Sequence, residues 1–239
     1  MARARRGKHL GKVLAMTLRM IKPLALVLGL GAALSACSNE PYFTNPVTNL
    51  YDVLFKSGEG APAPITQQQI VQTLSATELP VAFLNIEKRK SQSLLVRIEQ
   101  NPPYDTFATS TRQAVTMRHG MITGTRGLGG DLMSTDEGPL LAQVRSRQTG
   151  HVTHIQRFLT PEDVTEVITY RCGVEADKPV NVEMGLVRGT AVEVIAACES
   201  PEGPPFVDYY VVGQGGDIVA SRQWLGSEIG YVAMHMLRR

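Results

Sequence analysis

Three pairs of neighbouring carboxylates have the clearest capacity for general acid–base chemistry in this chain. They are Asp136-Glu137, Glu162-Asp163, and Glu175 with Asp177. Two carboxylates that flank a glycosidic bond are what most glycoside hydrolases use. Each pair, however, lies beside a predicted turn or helix start, where solvated or capping carboxylates are expected. The pattern therefore favours structural roles, and catalysis by one of the pairs is the alternative.

The pair His151 and His154 could supply half of a metal site. A spacing of i, i+3 brings both imidazoles to one face only on a helix, whereas these residues follow Gly150, where we expect a strand to begin. On a strand the two rings point to opposite faces. No adjacent Glu completes a ligand set, and His119 and His235 are far away in the sequence. We therefore predict no metal and no other cofactor.

The glycine-rich segment 123–131 invites comparison with a phosphate-binding loop. It lacks the Lys-Ser or Lys-Thr ending of a P-loop and the glycine spacing of a dinucleotide-binding turn. We interpret it as a wide connection between strands, in which glycine supplies positive φ angles. The sequence also contains no Gly-x-Ser-x-Gly nucleophile elbow. None of these patterns indicates an enzyme.

Three aromatic residues, Tyr209, Trp224 and Tyr231, lie close together near the C-terminus. Only 6% of the chain is aromatic, which disfavours a dedicated sugar-stacking groove. Trp224 shares a predicted strand face with Ile218 and Ala220, so core packing is the main interpretation. A surface that contacts a partner protein or a glycan is the alternative.

The elements that would position these residues are mainly strands. Alternation with period two begins near residue 82 and continues through several segments. These segments are 94–99, 104–109, 114–118, 164–172, 180–186, 191–198, 206–212, 218–225 and 231–237. Turn signals rich in Gly and Pro separate them, which predicts a mainly β, antiparallel barrel-like or sandwich-like domain.

Helices are expected at two places. One or two short helices precede the sheet, and the second of them begins at Thr66, whose capping-box partner is Gln69. A single helical interruption of the β pattern is predicted near residues 139–147.

The N-terminus has the three zones of a signal peptide. A basic stretch ends at Lys22, and the apolar run 23–34 is too short to cross a bilayer comfortably. The following Leu34-Ser35-Ala36-Cys37 resembles the bacterial lipoprotein box. The resemblance implies cleavage before Cys37 and acylation of both its thiol and its new amine. An ordinary signal peptide with an incidental cysteine is the alternative.

Acylation of Cys37 would anchor the mature protein, since two or more acyl chains hold a protein stably on a bilayer. The next residue is Ser38, and in bacteria that sort lipoproteins by this position Ser favours transfer to the outer membrane. The expected location is the periplasmic face of the outer membrane. The expected organisation is a signal peptide over 1–36, an acylated cysteine, tether and short helix over 37–64, and a single β-rich periplasmic domain over 65–239.

Charge and cysteine content agree with this location. Of the 24 Lys and Arg residues, seven lie within residues 1–36, which leaves 17 against 22 Asp and Glu, a net charge of −5. An acidic mature chain argues against general nucleic-acid binding. The periplasm is oxidising, so Cys172 and Cys198 can form a disulfide that closes a loop of about 26 residues. Two buried thiols or a metal-binding pair are the alternatives.

Two segments carry a resemblance to a known family. They are MITGTRGLGGDL at 121–132 and VASRQWLG at 219–226, the second followed by Gly230, Tyr231 and Val232. Together with the lipobox they make the chain similar to the YjbF/GfcB group 4 capsule lipoproteins over nearly the whole mature part. The resemblance implies a β-rich fold and no catalytic residues. It also implies export or assembly of exopolysaccharide or capsule, beside a periplasmic protein and an outer-membrane β-barrel protein.

The sequence therefore favours an outer-membrane lipoprotein, not an enzyme, that assists secretion or assembly of an extracellular polysaccharide. Its partners would be the lipid bilayer, through Cys37, and proteins of the secretion system, with the polysaccharide itself as a further candidate. Two alternatives stay open. One is a periplasmic hydrolase or deacetylase that modifies the polymer, and the other is a generic envelope-assembly lipoprotein.

Overall fold

The structure is a computed structural model that describes residues 64–160 and 164–239. Twelve strands dominate it. They are β1 (Val81–Ile86), β2 (Ser91–Asn101), β3 (Tyr104–Ala108), β4 (Ala114–Arg118), β5 (Met121–Arg126), β6 (Leu132–Asp136), β7 (Gly150–Leu159), β8 (Thr165–Met184), β9 (Val187–Glu199), β10 (Phe206–Gly213), β11 (Ile218–Trp224) and β12 (Tyr231–Arg238). The signal peptide, Cys37 and the first expected helix lie outside the described residues.

All twelve strands belong to one antiparallel sheet in the order β5-β4-β3-β2-β1-β12-β11-β10-β9-β8-β7-β6. The two end strands approach each other, so the sheet is barrel-like and nearly closed. At the seam the Leu132 backbone N–H donates to Thr125 Oγ1 at 3.0 Å. A Cβ added to Gly124 would lie 3.4 Å from the carbonyl oxygen of Met133. The predicted mainly β fold is confirmed.

Two α-helices accompany the sheet in the described residues, and a 3-10 helix (Glu87–Arg89) connects β1 to β2. Helix α1 (Gln67–Ala76) begins at the Thr66 capping box, in which the Thr66 side chain and the Gln69 side chain each accept the other residue's backbone N–H. Its Leu74 packs on Val81 and Leu237 against the outer face of the sheet. Helix α2 (Gly138–Ser146) is the predicted interruption, and it buries Leu140, Leu141 and Val144 against the main core.

The main core lies inside the curved sheet, because the inward positions of successive strands alternate with polar outward ones. Fully buried apolar side chains from many strands, from α2 and from the turn 225–230 meet there. They include Leu95, Met121, Leu132, Leu140, Ile218, Leu225, Ile229 and Met234. Burying a large apolar side chain stabilises a fold by roughly 1.5–3 kcal/mol, so this cluster is the main source of the domain's stability.

Two details of the strand prediction are wrong. The segment 123–131 is not one connection, because residues 123–126 belong to β5 and only 127–131 form a turn. That turn is closed by Asp131, whose carboxylate accepts the backbone N–H groups of Gly127 (2.7 Å) and Leu128 (2.9 Å). The segments 164–172 and 180–186 are parts of one long strand, β8, whose register shifts between Ala176 and Pro179.

Replacing Gly120 should destabilise the fold through its backbone. Its φ is +85°, and an added Cβ would lie 2.0 Å from the carbonyl oxygen of Ile218. We expect Gly120→Ala to lose about 1–3 kcal/mol from backbone strain, with the clash adding to that cost. Gly215→Ala is the matched control, since a Cβ there meets nothing within 4 Å. Urea unfolding checks both variants, and equal stabilities would contradict the described turn.

Candidate functional site

A disulfide ties two central strands together near the candidate site. Cys172 and Cys198 lie directly opposite each other on β8 and β9, with their Cα atoms 4.0 Å apart and their sulfurs bonded at 2.02 Å. Both residues are buried. The bond holds the inner face of β8 beside β9, and Tyr170 lies two residues before it on the same face.

The structure brings the three sequence-selected aromatics to neighbouring positions on β10, β11 and β12. Trp224 and Tyr231 are paired across the β11–β12 ladder, with ring centroids 5.3 Å apart in an edge-to-face arrangement. Tyr209 is opposite Arg222, whose guanidinium lies 3.5 Å from the centroid of the Tyr231 ring. Arg222 also forms a bidentate pair with Glu87 at 2.8 Å. Tyr209 is the most exposed of the three aromatics, and the other two are partly buried.

One end of the sheet contains a pocket of about 240 Å³, which we call the barrel mouth. It lies at the end that carries the turns 127–131, 200–205 and 225–230. Its lining combines aromatic rings, carboxylates and glycines. The lining includes Phe158, Glu166, Tyr170, Glu202, Gly203, Trp224, Gly226 and Glu228. Mouths of β-barrels are a common place for ligand pockets.

Two polar groups in the barrel mouth have no hydrogen-bond partner among the described residues: the Tyr170 hydroxyl and the Trp224 indole N–H. Tyr170 is only 1% exposed. Burial, followed by the charges of Glu166 and Asp208, raises the pKa of Tyr170 to about 12, so its hydroxyl stays protonated. Such unpaired buried donors are rare in folded proteins, because each costs about 1–3 kcal/mol.

Glycines shape this pocket at two points. A Cβ on Gly203 would lie 2.5 Å from the Tyr170 hydroxyl oxygen, and one on Gly226, where φ is +93°, would lie 2.5 Å from the Phe158 ring. The backbone therefore comes within contact distance of both rings only because these residues lack side chains.

A fully buried carboxylate, Asp208, lies beneath the aromatic residues. Its Oδ1 accepts the Trp224 backbone N–H at 2.7 Å, and its Oδ2 accepts the Tyr210 hydroxyl at 3.0 Å. Burial raises the pKa of Asp208 to about 7, although these two donors and the charge of Arg222 oppose the rise. Burial and the adjacent Asp208 also raise the pKa of Tyr210 well above its ordinary value. Asp208 was not selected from the sequence.

The carboxylate pairs selected from the sequence do not converge. Asp136 forms a bidentate pair with Arg157 at 2.9 and 3.0 Å. Its neighbour Glu137 is buried, and it accepts hydrogen bonds from Tyr104 at 3.0 Å and Arg118 at 3.1 Å. Burial alone would raise the pKa of Glu137, but its hydrogen bonds, led by its own backbone N–H, bring it below the usual value. The expectation of a solvated or capping carboxylate is wrong for Glu137.

Of the remaining two pairs, one lies outside the described residues and the other lies beside a lysine. Glu162 and Asp163 lie outside the described residues. Asp177 forms an ion pair with Lys178 at 3.2 Å, and Lys178 also reaches Glu193 at 3.1 Å. In the described residues, no two of these carboxylates face one cavity.

The two histidines of β7 lie as a strand requires. His154 is 4% exposed and His151 is solvent-exposed, so their rings point to opposite faces. Burial lowers the pKa of His154 to about 4 and that of His235 below its ordinary value. Within residues 64–160 and 164–239, no three His, Cys, Asp or Glu side chains are grouped to hold a metal ion.

The two segments that carry the family resemblance meet in the structure. The Ile122 backbone N–H on β5 donates to Gln223 Oε1 on β11 at 3.2 Å, which links the free edge of β5 to the barrel interior. Gly130 from the first segment and Trp224 and Gly226 from the second also line the barrel mouth. The residues that carry the family resemblance therefore lie where the sheet closes and in this pocket.

Fold and site together define a class of protein: a nearly closed antiparallel β domain with an internal disulfide and a small aromatic pocket in its mouth. Among the residues that the structure describes, no helix has the length and apolar character to cross a membrane.

Comparison with known families then identifies the group. Residues 47–237 match the family model described as group 4 capsule polysaccharide lipoprotein gfcB, YjbF, and the chain belongs to this family. This confirms the resemblance found in the sequence. Membership makes the protein a lipoprotein of the capsule polysaccharide group and implies a membrane-anchored place in the cell envelope.

A solved structure shares the fold. The hypothetical lipoprotein YmcC from Escherichia coli superposes with a TM-score of 0.63 at 14% identity, covering 82% of this chain and 97% of that one. A second structure, from Parabacteroides distasonis, has a TM-score of 0.30 at 13% identity, covering 68% of this chain and 95% of that one. No curated protein matches the sequence. At such identities the YmcC likeness concerns the fold alone.

Proposed function

We propose that this protein is an outer-membrane-anchored periplasmic lipoprotein that assists secretion or assembly of exopolysaccharide or capsule by binding. Its partners are the outer-membrane β-barrel and periplasmic proteins of the secretion system. The observation that carries the proposal is the family match, which extends over residues 47–237. The anchor is Cys37 in its lipobox, and Ser38 directs the mature chain to the outer membrane.

The geometry of the described residues supports binding over catalysis. The best-buried carboxylates, Asp208 and Glu137, each accept several hydrogen bonds from the protein itself. A general acid or base must reach a substrate proton within hydrogen-bond distance, directly or through one water. These two groups are used by the fold. The barrel mouth offers shape, aromatic rings and unpaired donors, and its three glutamates, Glu166, Glu202 and Glu228, are exposed on its rim.

A deletion strain tests this function. We expect the secreted polysaccharide to fall several-fold while the cell-associated pool is retained, because export is impaired and synthesis is not. Length and acetylation of the residual secreted polymer should match those of the wild type. The measurement is quantification of both pools together with size-exclusion chromatography and acetyl analysis of the polymer.

Two results would contradict the proposal, each in favour of a different alternative. An unchanged amount of secreted polymer with altered length or acetylation would indicate a polymer-modifying enzyme. No change in either pool under producing conditions would indicate a generic envelope lipoprotein.

A further inference from the structure

We propose that the barrel mouth binds one residue of a neutral or amino-bearing saccharide. This inference rests on the proposed function and deepens it, because it assigns a ligand class and a site to a protein that would act on polysaccharide export. Four properties of the pocket support it: its size, its aromatic rings, its unpaired donors and its acidic rim.

Size and aromatic rings suit a sugar ring. Pockets for drug-sized ligands hold about 300–1,000 Å³, so a mouth of about 240 Å³ accommodates a smaller group. Phe158 and Trp224 both line it. The C–H face of a pyranose packs on aromatic rings, and an indole adds a polar N–H at its edge.

The unpaired donors need an acceptor. The Tyr170 hydroxyl and the Trp224 indole N–H point to a ligand that brings hydrogen-bond acceptors into the pocket. Sugar hydroxyls and ring oxygens accept such bonds. A buried tyrosine hydroxyl without a partner costs the fold free energy, which an acceptor on a ligand would recover.

The rim selects the charge of the ligand. Glu166, Glu202 and Glu228 line the pocket, and Glu166 lies directly opposite Phe158 in the β7–β8 ladder, on the inner face. Carboxylates accept hydrogen bonds from sugar hydroxyls and attract an ammonium group, but they repel a uronate or a phosphate. Neutral and amino sugars therefore fit, and acidic sugars do not.

Other ligand classes match fewer of these features. An acyl chain would leave both donors unpaired and would not need three carboxylates. A lysine side chain would satisfy the carboxylates, but its ammonium group has no acceptor for Tyr170 or Trp224. A saccharide hydroxyl both donates and accepts, so it serves both sets of groups.

The single tryptophan of the chain makes the test direct, because Trp224 lies in the pocket. The mature lipidated protein in detergent micelles is titrated with oligosaccharides released by mild acid from the strain's own secreted polysaccharide, separated by ion exchange into neutral, basic and acidic fractions. Maltotetraose, an alginate tetramer and tetralysine are additional probes. We expect a saturable change in Trp224 emission with a neutral or basic saccharide fraction, and none with alginate or tetralysine.

Two variants connect the signal to the pocket. Tyr170→Phe should weaken binding about 2- to 10-fold, the loss expected for one hydrogen bond, while its melting temperature stays equal or rises. Tyr209→Phe is the matched control, since this residue lies on β10 outside the pocket and should bind like the wild type. Glu166→Gln removes one negative charge from the rim. It should therefore reduce the difference in affinity between the bound saccharide fraction and the alginate tetramer.

The proposal is overturned if no saccharide fraction changes Trp224 emission, if tetralysine alone does so, or if Tyr170→Phe and Tyr209→Phe bind equally. These outcomes are separate from the export assay. Lost secretion in the deletion strain without saccharide binding would remove this site and leave the proposed function. Saccharide binding with normal secretion in the deletion strain would remove the proposed function and leave this site.

Discussion

We expect the double variant Cys172→Ala/Cys198→Ala to unfold with a free energy about 3 kcal/mol lower than that of the wild type. The disulfide joins residues 26 apart in the sequence, and a closed loop of that length removes about this much conformational freedom from the unfolded chain. For a domain of this size the melting temperature should fall by roughly 6–12 °C. Urea unfolding and calorimetry measure both quantities.

Reduction supplies the matched control for this prediction. Dithiothreitol should lower the stability of the wild type to that of the double variant and should leave the double variant unchanged. A double variant within about 0.5 kcal/mol of the wild type would show that the bond contributes no stability. Thiol labelling of the unreduced, denatured wild type should give no adduct at Cys172 or Cys198.

The second large effect concerns Asp208. Its pKa rises from 3.8 to about 7 in the folded protein, so between these values the folded state binds more protons than the unfolded state. The stability contributed by this group is therefore full below about pH 4 and is lost as pH rises to 7. The difference is on the order of 4 kcal/mol across the window. Asp208→Asn should remove this dependence and be more stable than the wild type at pH 8.

The buried His154 acts in the opposite direction. Its pKa falls from 6.5 to about 4, so the unfolded state binds more protons between these values and stability rises with pH. In the wild type the two slopes oppose each other between pH 4 and 6.5. Asp208→Asn should retain the pH dependence that comes from His154 without the opposing one from Asp208. Its free energy of unfolding should therefore rise clearly from pH 4 to 6.5.

Urea unfolding across pH 4–8 checks this prediction. Asp208→Ala is the comparison variant, because it leaves the Trp224 backbone N–H and the Tyr210 hydroxyl without their acceptor. It should be about 2–5 kcal/mol less stable than Asp208→Asn at every pH, since neither variant has a carboxyl group that titrates at this position. A pH profile of Asp208→Asn that is identical to that of the wild type would contradict the raised pKa.

Local patterns in the sequence predicted most of the fold. Strand β4 (Ala114–Arg118) alternates strictly, and β10 (Phe206–Gly213) alternates as far as Val212. The Thr66 capping box fixes the start of α1 within a residue. Strands β5 and β6 were missed because their evidence is non-local. A glycine such as Gly124 is typical of a turn in the sequence. In the structure it lies within β5, where the absence of a side chain lets the strand approach the Met133 carbonyl on β6.

The candidate site could be predicted only in part. The aromatic residues were selected because of their type, and the register of β11 and β12 then places Trp224 opposite Tyr231. Asp208 was missed although a signal exists, since it is in phase with Phe206 and Tyr210 on a strand face that must be buried. The burial of Glu137 depends on Tyr104 and Arg118 from other strands, and no local pattern contains that information.

The central claim is that a lipid-anchored protein supports polysaccharide secretion. The most direct test measures the secreted polysaccharide of the deletion strain after complementation with wild type, Cys37→Ala, or the control Ser35→Ala, which keeps a small residue in the lipobox and is removed with the signal peptide. Immunoblotting must show equal protein levels. We predict that wild type and Ser35→Ala restore secretion and that Cys37→Ala does not. Full secretion with the unacylated Cys37→Ala protein would contradict the account.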